Sequence, residues 1–175
     1  PEAREALSLA VKLAEKVDAD LVVATDPDSD RLGIAVKNEN EYAFLSGNEV
    51  GIMLFEYILS QRKLNGTLPQ RPFAVKTIVS TDLTDKIAER YDCELKEVLT
   101  GFKYIGEQIL ELEKKGQEDR FVFGYEESYG YLSGTYVRDK DGVVASMLIC
   151  ELAAYLKKQN KTLVDFVNDL YEKYG

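Results

Sequence analysis

The 175 residues contain no histidine and no tryptophan, and only two cysteines, two methionines and four prolines. Without histidine, imidazole acid/base chemistry and histidine-ligated zinc are excluded within this segment. Cys93 and Cys150 are too few for a disulfide framework and read as buried thiols of a chain kept in a reducing, cytoplasmic compartment. No signal peptide and no membrane-length apolar run is present, so no membrane partner is expected. Positive charge is also scarce. The 22 Lys and Arg against 31 Asp and Glu leave a formal charge of −9. That argues against nucleic acid or an anionic membrane, and requires an anionic small ligand to find local cations or a metal. The first residue is Pro1 rather than Met, as expected of a fragment or a processed chain.

What is present suits a folded chain. Apolar residues make up 45% and charged residues 30%, enough for one domain, or one domain with part of another. Residues 2–17 place Ala3, Leu7, Ala10, Val11, Ala14 and Val17 on one helical face, with Pro1 at a helix start. Leu21–Ala24 reads as a buried strand, and Leu32–Val36 with Glu41–Leu45 as a hairpin. Helices follow over about 50–63, to about Tyr91 after a Ser80–Asp82 cap, from Gly101 to about Gly116, from Asp141, and from a Thr162 cap to about Tyr174. The helix from Asp141 is expected to bury Val144, Leu148, Leu152 and Tyr155. Strands are expected at Phe73–Val79, Glu94–Leu99 and Phe121–Gly124, with a loop and a short strand over 125–140. Strands alternating with helices define an α/β fold, a layered mixed β-sheet flanked by helices and preceded by a partial α/β domain. The boundary is expected near residues 45–48.

Asp26-Pro27-Asp28-Ser29-Asp30-Arg31 is the most informative stretch. Three alternating carboxylates directly after an apolar strand can turn hard oxygen ligands toward one Mg²⁺ or Ca²⁺, with Arg31 placed to hold an anion. The EF-hand pattern fails, because its sixth position here is Arg31 and its twelfth Lys37. A solvated turn is the plain alternative, and a phosphatase with Asp26 as nucleophile and Asp28 as acid/base is a second one. Gly124–Gly130 carries Glu126 and Ser128 between glycines, a pair suited to vicinal hydroxyls, or simply a glycine-rich connection with an ordinary surface glutamate. Thr100-Gly101 opens a helix whose free N–H groups favour an anion, and Lys103 lies in that first turn, either for function or as a solvated charge. Arg138 and Lys140 supply local positive charge, or simply a solvated loop.

Taken in order, Asp-Pro-Asp-Ser-Asp-Arg, Thr-Gly-Phe-Lys-Tyr-Ile, Tyr-Glu-Glu-Ser-Tyr-Gly and Arg-Asp-Lys-Asp-Gly resemble the α-D-phosphohexomutases, the phosphoglucomutases and phosphomannomutases. The resemblance implies a four-domain enzyme in which residues 1–46 end domain two and residues 47–175 form domain three. It implies reversible phosphoryl transfer between the 1- and 6-positions of a hexose phosphate, through a phosphoserine in domain one. Asp26, Asp28 and Asp30 would then ligate Mg²⁺, with Arg31 beside the phosphate. Glu126 and Ser128 would bind sugar hydroxyls. Lys103 would be an acid/base or phosphate-contacting group, and Arg138 and Lys140 would line the same cleft. Tyr125 and Tyr129 depart from the family's Gly-Glu-x-Ser-Gly, which leaves the sugar open among glucose, mannose and pentose phosphates. With domains one and four missing, the segment alone is expected to be inactive. A metal-dependent aspartyl phosphatase and a non-catalytic Mg²⁺ or sugar-phosphate module remain as alternatives. All of this requires the acidic loop and the tyrosine-flanked turn to lie together.

Overall fold

The computed structural model describes residues 3–175, so the expected helix start at Pro1 lies outside the described residues. Helix α1 (Arg4–Val17) leads into β1 (Leu21–Thr25), β2 (Leu32–Asn38) and β3 (Glu41–Leu45). These strands form an antiparallel sheet in the order β1-β2-β3. β1 is therefore an edge strand and not the buried strand expected: Val22 is covered but Val23 is 36% exposed. On α1, Leu9, Leu13 and Val17 are also exposed, four residues apart and so on one stripe.

Helix α2 (Gly47–Leu64) begins at a capping box, in which Ser46 Oγ accepts from the Glu49 N–H at 3.3 Å and Glu49 Oε2 accepts from the Ser46 N–H at 2.6 Å. Every residue from Val50 to Leu59 is buried, so α2 runs through the core rather than over it. Next come β4 (Phe73–Thr77), α3 (Leu83–Arg90), β5 (Glu94–Val98), α4 (Phe102–Lys114), β6 (Phe121–Glu126) and β7 (Gly130–Leu132). The second sheet has the order β5-β4-β6-β7, parallel except for β7. One face packs Phe73, Val75 and Phe121 against Phe102, Ile105 and Ile109 of α4. The other face meets α2 and α3 in a larger core.

Helices α5 (Gly142–Lys157) and α6 (Leu163–Tyr174) close that core. Leu32, Ile34 and Val36 of β2 share it with α2, α5 and α6, so the hairpin and the second sheet are packed as one body. The buried face of α5 is Ala145, Ile149, Leu152 and Leu156, about one position round from the face expected. Cys93 is buried but Cys150 is exposed, which corrects the expectation of two buried thiols; neither is in a disulfide. Among the described residues no helix is long and apolar enough to cross a membrane.

Candidate functional site

β4, β5 and β6 run parallel and end on one edge at Thr77, Val98 and Glu126. The carboxyl edge of a parallel sheet is where α/β folds place ligands. The acidic loop reaches this edge from the other sheet. Leu32 N–H donates to the Tyr129 carbonyl at 3.0 Å, and Arg31 pairs with Gly130 in an antiparallel bridge. The two segments whose proximity the functional reading requires are thus joined through their backbones.

Within the loop, Ser29 N–H donates to the Asp26 carbonyl at 3.0 Å and Arg31 N–H donates to Asp26 Oδ1 at 3.0 Å. Ser29 takes a left-handed conformation, φ 58°. This curl converges the carboxylates: one oxygen each from Asp26, Asp28 and Asp30 lies within 4.8 Å of the others. Two oxygens on one ion can be apart by at most twice the bond length, about 4.2 Å for Mg²⁺ and about 5.2 Å for Ca²⁺. The 4.8 Å bound lies inside the limit for the larger ion and about 0.6 Å outside that for the smaller one. Asp30 Oδ1 is buried without a hydrogen-bond partner, with Arg31 Nε 3.8 Å away. An orphaned buried carboxylate oxygen is the position a cation would satisfy. Partial burial pushes Asp26 up, but hydrogen bonds from backbone N–H groups, that of Arg31 foremost, outweigh it and hold the carboxyl below its usual range. The donor set, all hard oxygen, suits a divalent cation.

Lys140 ties this loop to the second sheet. Its Nζ lies 2.9 Å from Asp30 Oδ2 and 3.1 Å from Asp139 Oδ1, and 5.4 Å from the Phe102 ring centroid. Burial acts to lower its pKa, but the two carboxylates prevail and raise it, so it is a fixed cation. The lysine stem crosses Gly130, where a Cβ would sit 2.4 Å from Lys140 Cδ. Helix α5 starts against the loop: Gly142 N–H donates to the Ser29 carbonyl at 3.0 Å, and Asp141 Oδ1 caps the Val143 and Val144 amides at 2.9 Å each.

The turn between β6 and β7 is three residues long, Glu127-Ser128-Tyr129, and Tyr129 is left-handed at φ 67°. A non-glycine residue there costs on the order of 1–2 kcal/mol and persists only where neighbours fix it. Glu126, 5% exposed, accepts from the Gly101 N–H through Oε1 at 2.7 Å. The start of α4, expected to hold a ligand anion, therefore holds a protein carboxylate, and Gly101 reaches it at φ 124°. Glu127 Oε2 accepts from Thr77 Oγ1 at 3.0 Å. Ser128 is half-buried and its side chain has no hydrogen-bond partner among the described residues.

Of the residues singled out from sequence, Asp26, Asp28, Asp30, Arg31, Lys140, Gly101 and Glu126 are drawn together, with Ser128 on the adjoining turn. Thr100 is exposed beside Gly101. Lys103 and Arg138 instead line an open hollow of about 620 Å³ along α4, with Lys103 over the Tyr104 ring and Arg138 held by Glu113 and the Thr135 carbonyl. Hollows of about 610 and 540 Å³ lie elsewhere, beside α3 and β5 and between the hairpin and α5/α6. Thr77, Ser80 and Glu127 are not legible as a group in the sequence: Thr77 and Ser80 lie close together but Glu127 is fifty residues from Thr77, and only the consecutive carboxylates at 126 and 127 hint at the contact.

Fold and site together define an α/β protein that sets a cluster of three carboxylates and a lysine at the carboxyl edge of a parallel sheet. The comparisons narrow that class. Residues 46–174 match the family model "Phosphoglucomutase/phosphomannomutase, alpha/beta/alpha domain III", and residues 1–40 match that of domain II. The chain belongs to the phosphoglucomutase/phosphomannomutase family. The phosphoglucomutase of Staphylococcus haemolyticus (strain JCSC1435) is 38% identical, and that of Staphylococcus aureus (strain USA300) 41%, each over 100% of this chain. The chain spans about 31% of the length of these relatives. In fold, it matches a phosphoglucomutase/phosphomannomutase family protein from Burkholderia thailandensis (TM-score 0.71, 17% identity, 95% of this chain and 32% of that one). It also matches the open form of the Paramecium phosphoglucomutase parafusin (TM-score 0.67, 19% identity, 100% and 30%).

Proposed function

We propose that this segment supplies the metal loop and the sugar-binding turn of a phosphohexomutase, which moves a phosphoryl group reversibly between the 1- and 6-positions of a hexose phosphate. Residues 1–46 are read as the end of its domain two and residues 47–175 as domain three. The observation that carries this reading is the backbone joint between Leu32 and Tyr129, which sets a three-carboxylate cluster beside a buried glutamate and a half-buried serine hydroxyl. A catalytic site for phosphoryl transfer needs that kind of positioning and charge neutralisation more than covalent chemistry.

Asp26, Asp28 and Asp30 would hold Mg²⁺. When bound, the ion neutralises charge on the transferring phosphate and makes it easier to release. Arg31 sits beside these carboxylates, 4.0 Å from Asp26 and 3.8 Å from Asp30, where it can pair with a phosphate oxygen. Lys140, held as a cation by Asp30 and Asp139, offers a second charge at the same edge. Glu126 and Ser128 grip vicinal hydroxyls, and a grip that ignores which end carries phosphate lets the sugar bind in both orientations. Gly101 and Thr100 set the floor of that grip, while Lys103 and Arg138 line a separate hollow along α4, Arg138 paired with Glu113, and are left out of it.

The phosphoserine carrier and the wall holding the distal phosphate come from elsewhere in the protein, and the exposed stripe of Leu9, Leu13 and Val17 is a surface the remainder of domain two would cover. The segment alone is then inactive. A cytoplasmic setting agrees with two free cysteines and the acidic composition. The test is conversion of glucose 1-phosphate and mannose 1-phosphate to the 6-phosphates by the full-length protein, with and without Mg²⁺. Activity that survives chelation, or turnover by the 175-residue segment itself, would overturn the proposal.

A further inference from the structure

The sugar-binding turn has an anchor that the proposed chemistry leaves unused. Thr77 ends β4 with its side chain fully buried, and its Oγ1 donates to Glu127 Oε2 at 3.0 Å. A second hydroxyl, Ser80 Oγ, lies 2.9 Å from Thr77 Oγ1 and is 5% exposed. A hydroxyl carries one proton. Thr77 gives its proton to Glu127, so Ser80 must donate to Thr77. The three groups form a directed relay from Ser80 to Thr77 to the Glu127 carboxylate, of the kind in which each bond strengthens the next.

The surroundings leave the turn little freedom. A Cβ on Gly47, at the start of α2, would sit 1.9 Å from the Glu127 carbonyl oxygen, so α2 abuts the turn backbone to backbone. Asn48 Oδ1 accepts from the Thr81 N–H at 3.1 Å, tying the segment after β4 to the same helix start. The turn so held contains a left-handed Tyr129, a conformation that relaxes unless its neighbours enforce it.

We propose that Thr77, acting through Glu127, is a positioning residue for the sugar-binding turn: the relay fixes the backbone between Glu126 and Ser128 so that both side chains face the hydroxyls they bind. This rests on the mutase reading above. Glu127 itself touches the anchor rather than the sugar, and of the two consecutive carboxylates only Glu126 faces the start of α4.

The measurement is steady-state kinetics of the full-length enzyme with T77V and T77S. Valine keeps the shape and removes the hydroxyl; serine keeps the hydroxyl. The sugar grip is the same before and during phosphoryl transfer, so loosening it raises KM and leaves kcat nearly unchanged. T77V is expected to raise KM for the hexose phosphate about tenfold, with kcat and the Mg²⁺ requirement within about twofold, and T77S to restore KM. A merely structural role would lower the active fraction, and so kcat and the melting temperature, at constant KM. That pattern, an unchanged T77V, or a T77S as impaired as T77V overturns the inference while leaving the mutase reading intact. A parent enzyme that interconverts no hexose phosphates removes both.

Discussion

Gly142 touches the acidic loop with nothing in between: its N–H donates to the Ser29 carbonyl at 3.0 Å, and a Cβ there would lie 2.7 Å from that oxygen and 2.6 Å from the Arg31 carbonyl oxygen. Helix α5 is therefore seated on the backbone of the acidic loop, and the loop's curvature is set by a helix more than a hundred residues later in the chain.

Gly142→Ala forces two backbone carbonyls aside, and neither can rotate away as a side chain can. Overpacking of this kind costs about 1–3 kcal/mol. The expected result is a lower melting temperature together with at least tenfold weaker Mg²⁺ or Ca²⁺ binding by calorimetry. Gly47→Ala is the matched control, because its clash is with the Glu127 carbonyl and not with the acidic loop. It should destabilise by a similar amount and disturb sugar-phosphate affinity in the full-length protein. Metal affinity should fall less than for Gly142→Ala.

These contacts mark the limit of what the sequence discloses. The alternation of Asp26, Asp28 and Asp30 is local, so their convergence could be read directly, and so could the capping box at Ser46 and Glu49. The buried face of α5 lies about one position from the one its sequence suggests because its apolar residues run nearly all round the helix, and periodicity then fails to choose a face. Four apolar residues make β1 read as buried, although burial depends on how many neighbours a strand acquires, and among the described residues β1 has one. Thr77 and Glu127 meet across fifty residues, and Lys76 lies in a run otherwise read as an ordinary β-branched strand. No pattern of period 2 or 3.6 records such pairings.

Asp28 separates ligand from scaffold. It is the exposed member of the trio and makes no hydrogen bond or ion pair among the described residues, whereas Asp26 holds the Arg31 amide and Asp30 holds Lys140. Asp28→Asn should leave metal-free stability within about 0.5 kcal/mol of the parent, as surface changes do. Titration with Mg²⁺ or Ca²⁺ should show affinity reduced at least tenfold. An unaltered titration would mean that the cluster is not a metal site.

The two thiols should differ in reactivity. Burial pushes the Cys93 thiol up to about 12, so almost no thiolate exists at neutral pH, while Cys150 is exposed. A thiol reagent at pH 7.5 should label one cysteine per chain quickly, found at Cys150 by peptide mapping. The second should react only after unfolding in denaturant.

Stability should decline in alkali. Burial, with help from Glu56, pushes Tyr91 up to about 12, and burial pushes Cys93 to about 12. In the unfolded chain such groups ionise near pH 10 and 8.5. A folded pKa raised above the unfolded one gives stability that is complete below the unfolded value and is lost as pH climbs toward the folded one. Urea midpoints should therefore be flat up to about pH 8 and fall between about pH 9 and 12, with tyrosinate absorbance appearing together with unfolding.

Lys76 tests which side of a buried charge is the costly one to strand. Its side chain is 1% exposed in the middle of the sheet, with Nζ 2.5 Å from Asp85, 3.5 Å from Asp82 and 3.6 Å from Glu97. The three carboxylates are all at least half in water or nearly so. Removing the ammonium leaves anions that solvent can hydrate, and methionine fills the vacated volume, so Lys76→Met should change stability by no more than about 1 kcal/mol. Removing the anions strands a charge that water cannot reach. The triple variant D82N, D85N and E97Q should lose about 3–5 kcal/mol, read as a shift in the urea midpoint at pH 7. Equal losses in the two proteins would show that solvent reaches the ammonium and that the asymmetry of exposure is not what governs this cluster.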